Sequence, residues 1–126
     1  MKDLLLDAHV LLWWFKDERL IDARAEEAVG DPDRRVFVSA ASFWEIAIKV
    51  KLGKLEAPAD LLAQARGAGF ETLDVRPEDG VAAGALPLHH GDPFDRMIVH
   101  QAIGRGLTLV TRDGKLRSYG VPVLRA

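Results

Sequence analysis

Four acidic residues stand where a globular chain either shuns carboxylates or uses them. Asp7 directly follows Leu4-Leu5-Leu6, a continuous apolar run, and Glu45 lies inside Ala40 to Ile48, the most apolar helical stretch. Asp95 ends the segment Asp92-Pro93-Phe94-Asp95, and Asp113 stands in Thr111-Arg112-Asp113-Gly114. Ionised carboxylates are rarely fully buried without a partner. Several at one site repel, and at least one pKa must rise unless a cation neutralises them. Oxygen-only ligands suit Mg²⁺ or Mn²⁺. Such an ion lowers the pKa of water and stabilises charge on a phosphoryl oxygen, so phosphodiester hydrolysis is the chemistry this set would serve best.

Each acid also has a plainer reading. Glu45 could face outward on a half-exposed helix, or partner Ser42 in a capping box. Asp95 would favour the dipole of a helix first turn, and Asp113 could be a turn residue. Asp92, a possible additional site residue, reads chiefly as an N-cap. The acids gain weight only if the fold brings them together.

The elements that would position them follow from local pattern. Leu4–Leu6 suits a buried strand, followed by helices at about Val10 to Lys16 and Asp22 to Val29. Arg35 to Val38 reads as a second strand, with Ser39 and Ser42 as caps for a helix from Phe43 to Leu52 that Gly53 ends. Asp60 caps a helix from Leu61 to Arg66, Phe70 to Val75 alternates as a strand does, and Pro77-Glu78 opens another helix. Asp92-Pro93 starts a helix running to about Arg105. Leu107 to Thr111 and Val121 to Leu124 are strands, the latter at an edge because of Pro122. Alternating strands and helices predict a single α/β domain over residues 1–126, with a mostly parallel sheet and helices on both faces. In such sheets ligands bind at the carboxyl ends of strands, where Asp7 and Asp113 fall.

Composition bounds the alternatives. At 126 residues the chain fits one domain, and 48% hydrophobic with 29% charged residues is ordinary for a globular protein. The absence of cysteine excludes disulfides, thiolate nucleophiles and cysteine-held zinc. No apolar run approaches the ~20 residues of a membrane span, and Met1–Leu6 lacks the features of a secretory signal, so a cytoplasmic protein with no membrane partner is the expectation. The net charge of −2 argues against a coat of nucleic-acid-binding lysines. From Arg96 onward, however, the charge is basic except for Asp113.

Leu4 to Trp13, Ser39 to Leu55, Asp92-Pro93-Phe94-Asp95-Arg96 and Thr111-Arg112-Asp113 together resemble a PIN domain, and more narrowly a VapC-type toxin of a bacterial toxin–antitoxin pair. Four ordered motifs carry the resemblance over nearly the whole chain. It implies that Asp7, Glu45, Asp95 and Asp113 bind Mg²⁺ or Mn²⁺ and cut RNA, that an antitoxin packs onto the chain, and that a homodimer forms. The family's first motif usually has Thr after the Asp; here the residue is Ala8.

Secondary candidates surround these acids. His9, Arg96 and Arg112 are candidate substrate contacts, the arginines for phosphate. Equally, the arginines could pair with surface acids, and His9 could be structural. His89-His90 invites a metal reading that no ligand spacing supports, and His100 is taken as structural. Lys49 stands at ion-pair spacing from Glu45. Trp13, Trp14 and Phe15 cannot share one helix face, so at least one is expected to be exposed or covered by a partner. Two rival functions differ in class. An aspartate-nucleophile phosphatase would usually carry a second Asp at position 9, which is His here. A non-catalytic module binding RNA or protein would not need all four acids.

Overall fold

In the computed structural model, which describes residues 3–126, five strands alternate with helices. The strands are β1 (Leu4–Leu6), β2 (Val36–Ser39), β3 (Glu71–Leu73), β4 (Thr108–Thr111) and β5 (Val123–Arg125). The helices are α1 (Ala8–Lys16), α2 (Ala23–Gly30), α3 (Ala40–Lys51), α4 (Leu61–Gly67), α5 (Pro77–Gly84) and α6 (Pro93–Arg105). Short 3₁₀ turns cover Glu18–Leu20 and Gly114–Tyr119.

Every strand pairing is parallel, in the order β3-β2-β1-β4-β5. From β1 the chain steps outward to β2 and β3, then returns to the other side of β1 for β4 and β5. The direction of winding therefore reverses between β1 and β4, and the carboxyl ends flanking that reversal form a natural crevice.

β1 is central, and Leu4, Leu5 and Leu6 are all fully buried. Leu4 and Leu6 join Val36, Val38 and Val110 against Val10, Leu11, Ala25 and Val29 on one face. Leu5, Phe37 and Leu109 meet Ile98, Val99, Ala102 and Leu116 on the other. Covering both faces is why the strand reads as an unbroken apolar run rather than an alternation. Each buried leucine contributes about 1.5–3 kcal/mol, which anchors the strand that carries Asp7.

The expected elements are all present, with shifted ends. Helix α1 starts at Ala8 because Asp7 caps it, its Oδ1 accepting the Val10 N–H at 2.8 Å. Helix α3 starts at Ala40 rather than Phe43, because the Ser39 Oγ accepts the Ala41 N–H and so sets the cap three residues earlier. Strand β3 is shorter than the alternation implied. Strand β5 lies at a sheet edge as expected, but begins only after Pro122, which has no N–H to give to the ladder. Helix α6 stops at Gly106, whose φ of +66° is a conformation that favours glycine.

Of the three adjacent aromatics expected to leave at least one exposed or covered by a partner, none is exposed. Trp13, Trp14 and Phe15 are each half-buried by this chain's own residues. Trp14 and Phe15 tilt against Phe70, and Trp13 lies under the Arg112 guanidinium and beside His9. No helix among the described residues is long and apolar enough to cross a membrane.

Candidate active site

The crevice beyond β1 and β4 collects the acids. Asp7 leaves the end of β1 only 8% exposed, its N–H donating to the Val110 carbonyl of β4 and its side chain capping α1. Its Oδ2 accepts the Thr111 hydroxyl at 2.5 Å. Burial pushes the Asp7 carboxyl above its ordinary value, against the hydrogen bonds from Thr111 and Val10 and with the charge of Glu45 adding to the rise.

Glu45 is 5% exposed, on the inward stripe of α3 with Ala41, Ser42 and Ile46. That placement overturns the outward-facing reading. The capping-box reading fails too, since Ser39 is the cap and Ser42 lies buried in the first turn. The carboxylate is paired instead along its own helix, Oε2 accepting from Lys49 Nζ at 2.5 Å. That hydrogen bond raises the Lys49 pKa, helped by the charges of Glu45, Asp92 and Asp95. Lys49 is thus a cation at the border of the cluster.

Helix α6 delivers Asp95 from its first turn. Asp92 caps the helix, its Oδ1 accepting the N–H groups of Phe94 and Asp95 at 2.8 and 3.3 Å. The Asp95 carboxyl is pushed up to about 7, first by burial, then by the charges of Asp92, Asp7 and Glu45, with His90 acting in the opposite direction. A carboxyl that resists ionisation through burial and through the charges of neighbouring carboxylates is what a site awaiting a cation would show.

Asp113 turns the corner after β4. Its Oδ1 accepts the Lys115 N–H at 3.0 Å, and its Oδ2 accepts from His90 Nε2 at 2.8 Å. The same imidazole nitrogen lies 3.5 Å from Asp95 Oδ2. His90, Asp95 and Asp113 each offer a ligand atom within 4.8 Å of the others. His90 is the residue that sequence reasoning missed. Ligand spacing speaks only to a ligand role; the signal for a place beside the site was its position two residues before the α6 cap, at the mouth of the Asp92–Asp95 motif.

Other candidates are placed elsewhere. Arg96 donates through one terminal nitrogen to the carbonyls of Gly84 and Leu86, and its buried Nε has no partner. Arg112 donates to the carbonyls of Ala126 and Leu20, and its guanidinium lies 3.9 Å from the Trp13 ring centre. Both arginines therefore spend part of their guanidinium on backbone carbonyls, which gives each a structural role beside the substrate contact read from its position next to the acids. His9 is exposed, next to Asp7, and near enough for its charge to lower the Asp7 pKa. His100 is structural: its Nε2 meets Asp79 Oδ1 at 3.0 Å, on the α5–α6 side. The Arg76 N–H and then the His100 hydrogen bond hold the Asp79 carboxyl down to about 2. An apolar groove of about 570 Å³ lies between α3 and the start of α6, lined by Trp44, Val75, Phe94 and Met97 among others.

The donor set fits a hard divalent cation. It consists of carboxylate oxygens, with the His90 imidazole beside them, contains no thiolate, and carries more negative charge than Lys49 offsets.

The sequence model of the PIN domain family matches residues 4–122. Ribonuclease VapC22 of Mycobacterium tuberculosis is 33% identical over 125 residues, covering 97% of this chain and 95% of that protein. Among solved structures, DNA-bound VapBC from Salmonella typhimurium superposes with a TM-score of 0.72 at 21% identity, covering 99% of this chain and 98% of that one. VapBC2 from Rickettsia felis, bound to a promoter DNA fragment, gives 0.70 at 14% identity, with 97% of each chain covered.

Proposed function

This chain belongs to the PIN domain family, and from that premise we propose that it is a divalent-metal-dependent endoribonuclease, the toxin of a toxin–antitoxin pair. One observation carries the metal reading: Asp95 is partly buried near Asp92, Asp7 and Glu45, and burial first, then those charges, push its carboxyl up to about 7. Ribonuclease action is supported by the relative of that name, and an antitoxin partner by the VapBC complexes that share the fold.

In this reading Asp7, Glu45, Asp95 and Asp113 hold Mg²⁺ or Mn²⁺, with Asp92 in reserve as the helix cap. A divalent ion bound there supplies Lewis-acid polarisation of the phosphodiester and a lowered pKa for the attacking water. The chain's own residues supply the preorganisation. Asp7 is locked by the Val10 N–H and the Thr111 hydroxyl, each carboxylate oxygen keeping further lone-pair capacity. Such a tethered group suits a ligand better than the nucleophile of an aspartate phosphatase. With its carboxyl pushed up to about 7, Asp95 is partly protonated near neutral pH and would hold a cation as the carboxylate. Lys49, paired with Glu45 and within reach of the charges of Asp92 and Asp95, is a fixed positive group to balance the approach of a phosphate.

A homodimer belongs to the same proposal. Trp44 and Leu52 of the α3 segment and Val81 of α5 are 64%, 62% and 77% exposed, leaving apolar surface for a second copy.

The deciding experiment incubates the purified protein with total RNA and Mg²⁺ or Mn²⁺, beside EDTA and Asp7→Asn controls. Discrete fragments that disappear in both controls are expected. Fragments that persist unchanged in the Asp7→Asn protein would overturn the site.

A further inference from the structure

Resting on the metal-binding reading above, we propose that His90 is a positioning residue of the site, whose Nε2–H holds the Asp113 carboxylate in place for the divalent ion. The ring's two nitrogens have distinct partners. The Asp92 N–H donates to Nδ1 at 3.0 Å, so Nδ1 is the acceptor and the proton of the neutral ring resides on Nε2. Nε2–H therefore donates to Asp113 Oδ2 at 2.8 Å. With its lone pair engaged at Nδ1 and a proton at Nε2, the imidazole has no free electron pair for an ion. Its contribution is to orient a ligand, the role outer-shell groups commonly play.

The loop presents the ring deliberately. The His90 backbone N–H donates to the Tyr119 hydroxyl at 3.0 Å, which ties the segment before α6 to the turn after β4. The side chain is only 21% exposed, so water competes weakly for its hydrogen bonds. Asp113 has its Oδ1 pinned by the Lys115 N–H. Without His90, no other side-chain contact to Oδ2 is present among the described residues, and the carboxylate would be free to rotate. The resulting path runs from the α6 cap through His90 to Asp113, and on through Thr111 to Asp7. Two of the four acids, Asp113 and Asp7, thus share one hydrogen-bonded frame with the cap residue Asp92.

Two isosteric substitutions separate this role from simple support of the loop. Asn at 90 keeps an acceptor in place of Nδ1 but has no donor that reaches Asp113. Gln at 90 puts an amide N–H at the depth of Nε2 but loses the acceptor for Asp92. Mn²⁺ binding is titrated by calorimetry on the intact metal-free proteins, with thermal melts run alongside. His90→Asn is expected to weaken Mn²⁺ binding about 10–100-fold, with His90→Gln within about threefold of the parent. In the Asp113→Asn background, His90→Asn should weaken binding no further, because the two residues act through one contact. Parental Mn²⁺ affinity in His90→Asn, or a His90→Gln protein as weak as His90→Asn, would overturn the assignment while leaving the metal site standing. A parent protein that binds no Mn²⁺ would remove both.

Discussion

The Thr111 hydroxyl donates to Asp7 Oδ2 at 2.5 Å and accepts the Asp113 N–H at 3.1 Å, joining two acids through one side chain at the end of β4. Thr111 and Asp7 are 104 residues apart in the chain and meet because β1 and β4 are neighbours in the sheet. The family's first motif usually has a hydroxyl directly after the Asp. Here residue 8 is alanine, and the hydroxyl reaching Asp7 comes from across the sheet.

Thr111→Val keeps the shape and removes that hydroxyl. It should lower stability by about 1 kcal/mol and weaken divalent-ion binding by about tenfold or more. Chemical denaturation and Mn²⁺ calorimetry check the two effects; parental values in both would show that the hydroxyl is idle.

Asp95 makes the metal-free protein pH-sensitive. Its carboxyl titrates near 7 when folded and near its ordinary 3.8 when unfolded. Between those values the folded state binds more protons. The stabilisation from this group is therefore complete below about pH 4, declines as pH rises, and is gone above about pH 7. Asp95→Asn should flatten that decline and, above pH 7 without metal, stabilise the fold by on the order of 1 kcal/mol, roughly 3–6 °C in a domain of this size. Melting curves from pH 4 to 8 in EDTA test this. With Mn²⁺ added, the parent should gain stability above pH 7 and the variant little.

Lys49→Met leaves the Glu45 carboxylate 5% exposed and without its ion-pair partner. The loss should be about 1–2 kcal/mol, below that of a fully buried pair because Lys49 is partly exposed. Added Mn²⁺ should recover part of it, since a cation replaces the ammonium. Denaturation with and without metal gives the comparison, and a metal-independent loss would count against Glu45 as a ligand.

Arg112→Ala separates a structural arginine from a phosphate contact. Losing two carbonyl bonds and the stack on Trp13 should destabilise the protein by about 1–3 kcal/mol. Cleavage per folded molecule should stay within about twofold of the parent, as expected for a group that touches no substrate. A large rise in KM with unchanged stability would restore the phosphate role.

Element type and order were readable from the sequence, because each rests on neighbours a few residues apart. The apolar Leu4–Leu6 run, the Asp92-Pro93 start of α6 and the glycine stop at 106 are local signals, and the structure places elements on each. Errors arose where local signals competed. Ser39 and Ser42 both looked like caps, and only the path out of β2 made Ser39 the one used. The acids, too, were visible one by one, as carboxylates set against apolar surroundings. Their company was not. The winding reversal between β1 and β4 set Thr111 against Asp7, and the approach of the α6 loop to the β4 corner set His90 against Asp113. The same packing turned Arg96 and Arg112 toward backbone carbonyls. Propensity and capping act over one or two turns of chain, so the sequence alone determined the elements and proposed the acids. Hydrogen bonds between residues 23 and 104 positions apart exist only once the sheet order has brought strand ends together, and that order decided which side chains form the site.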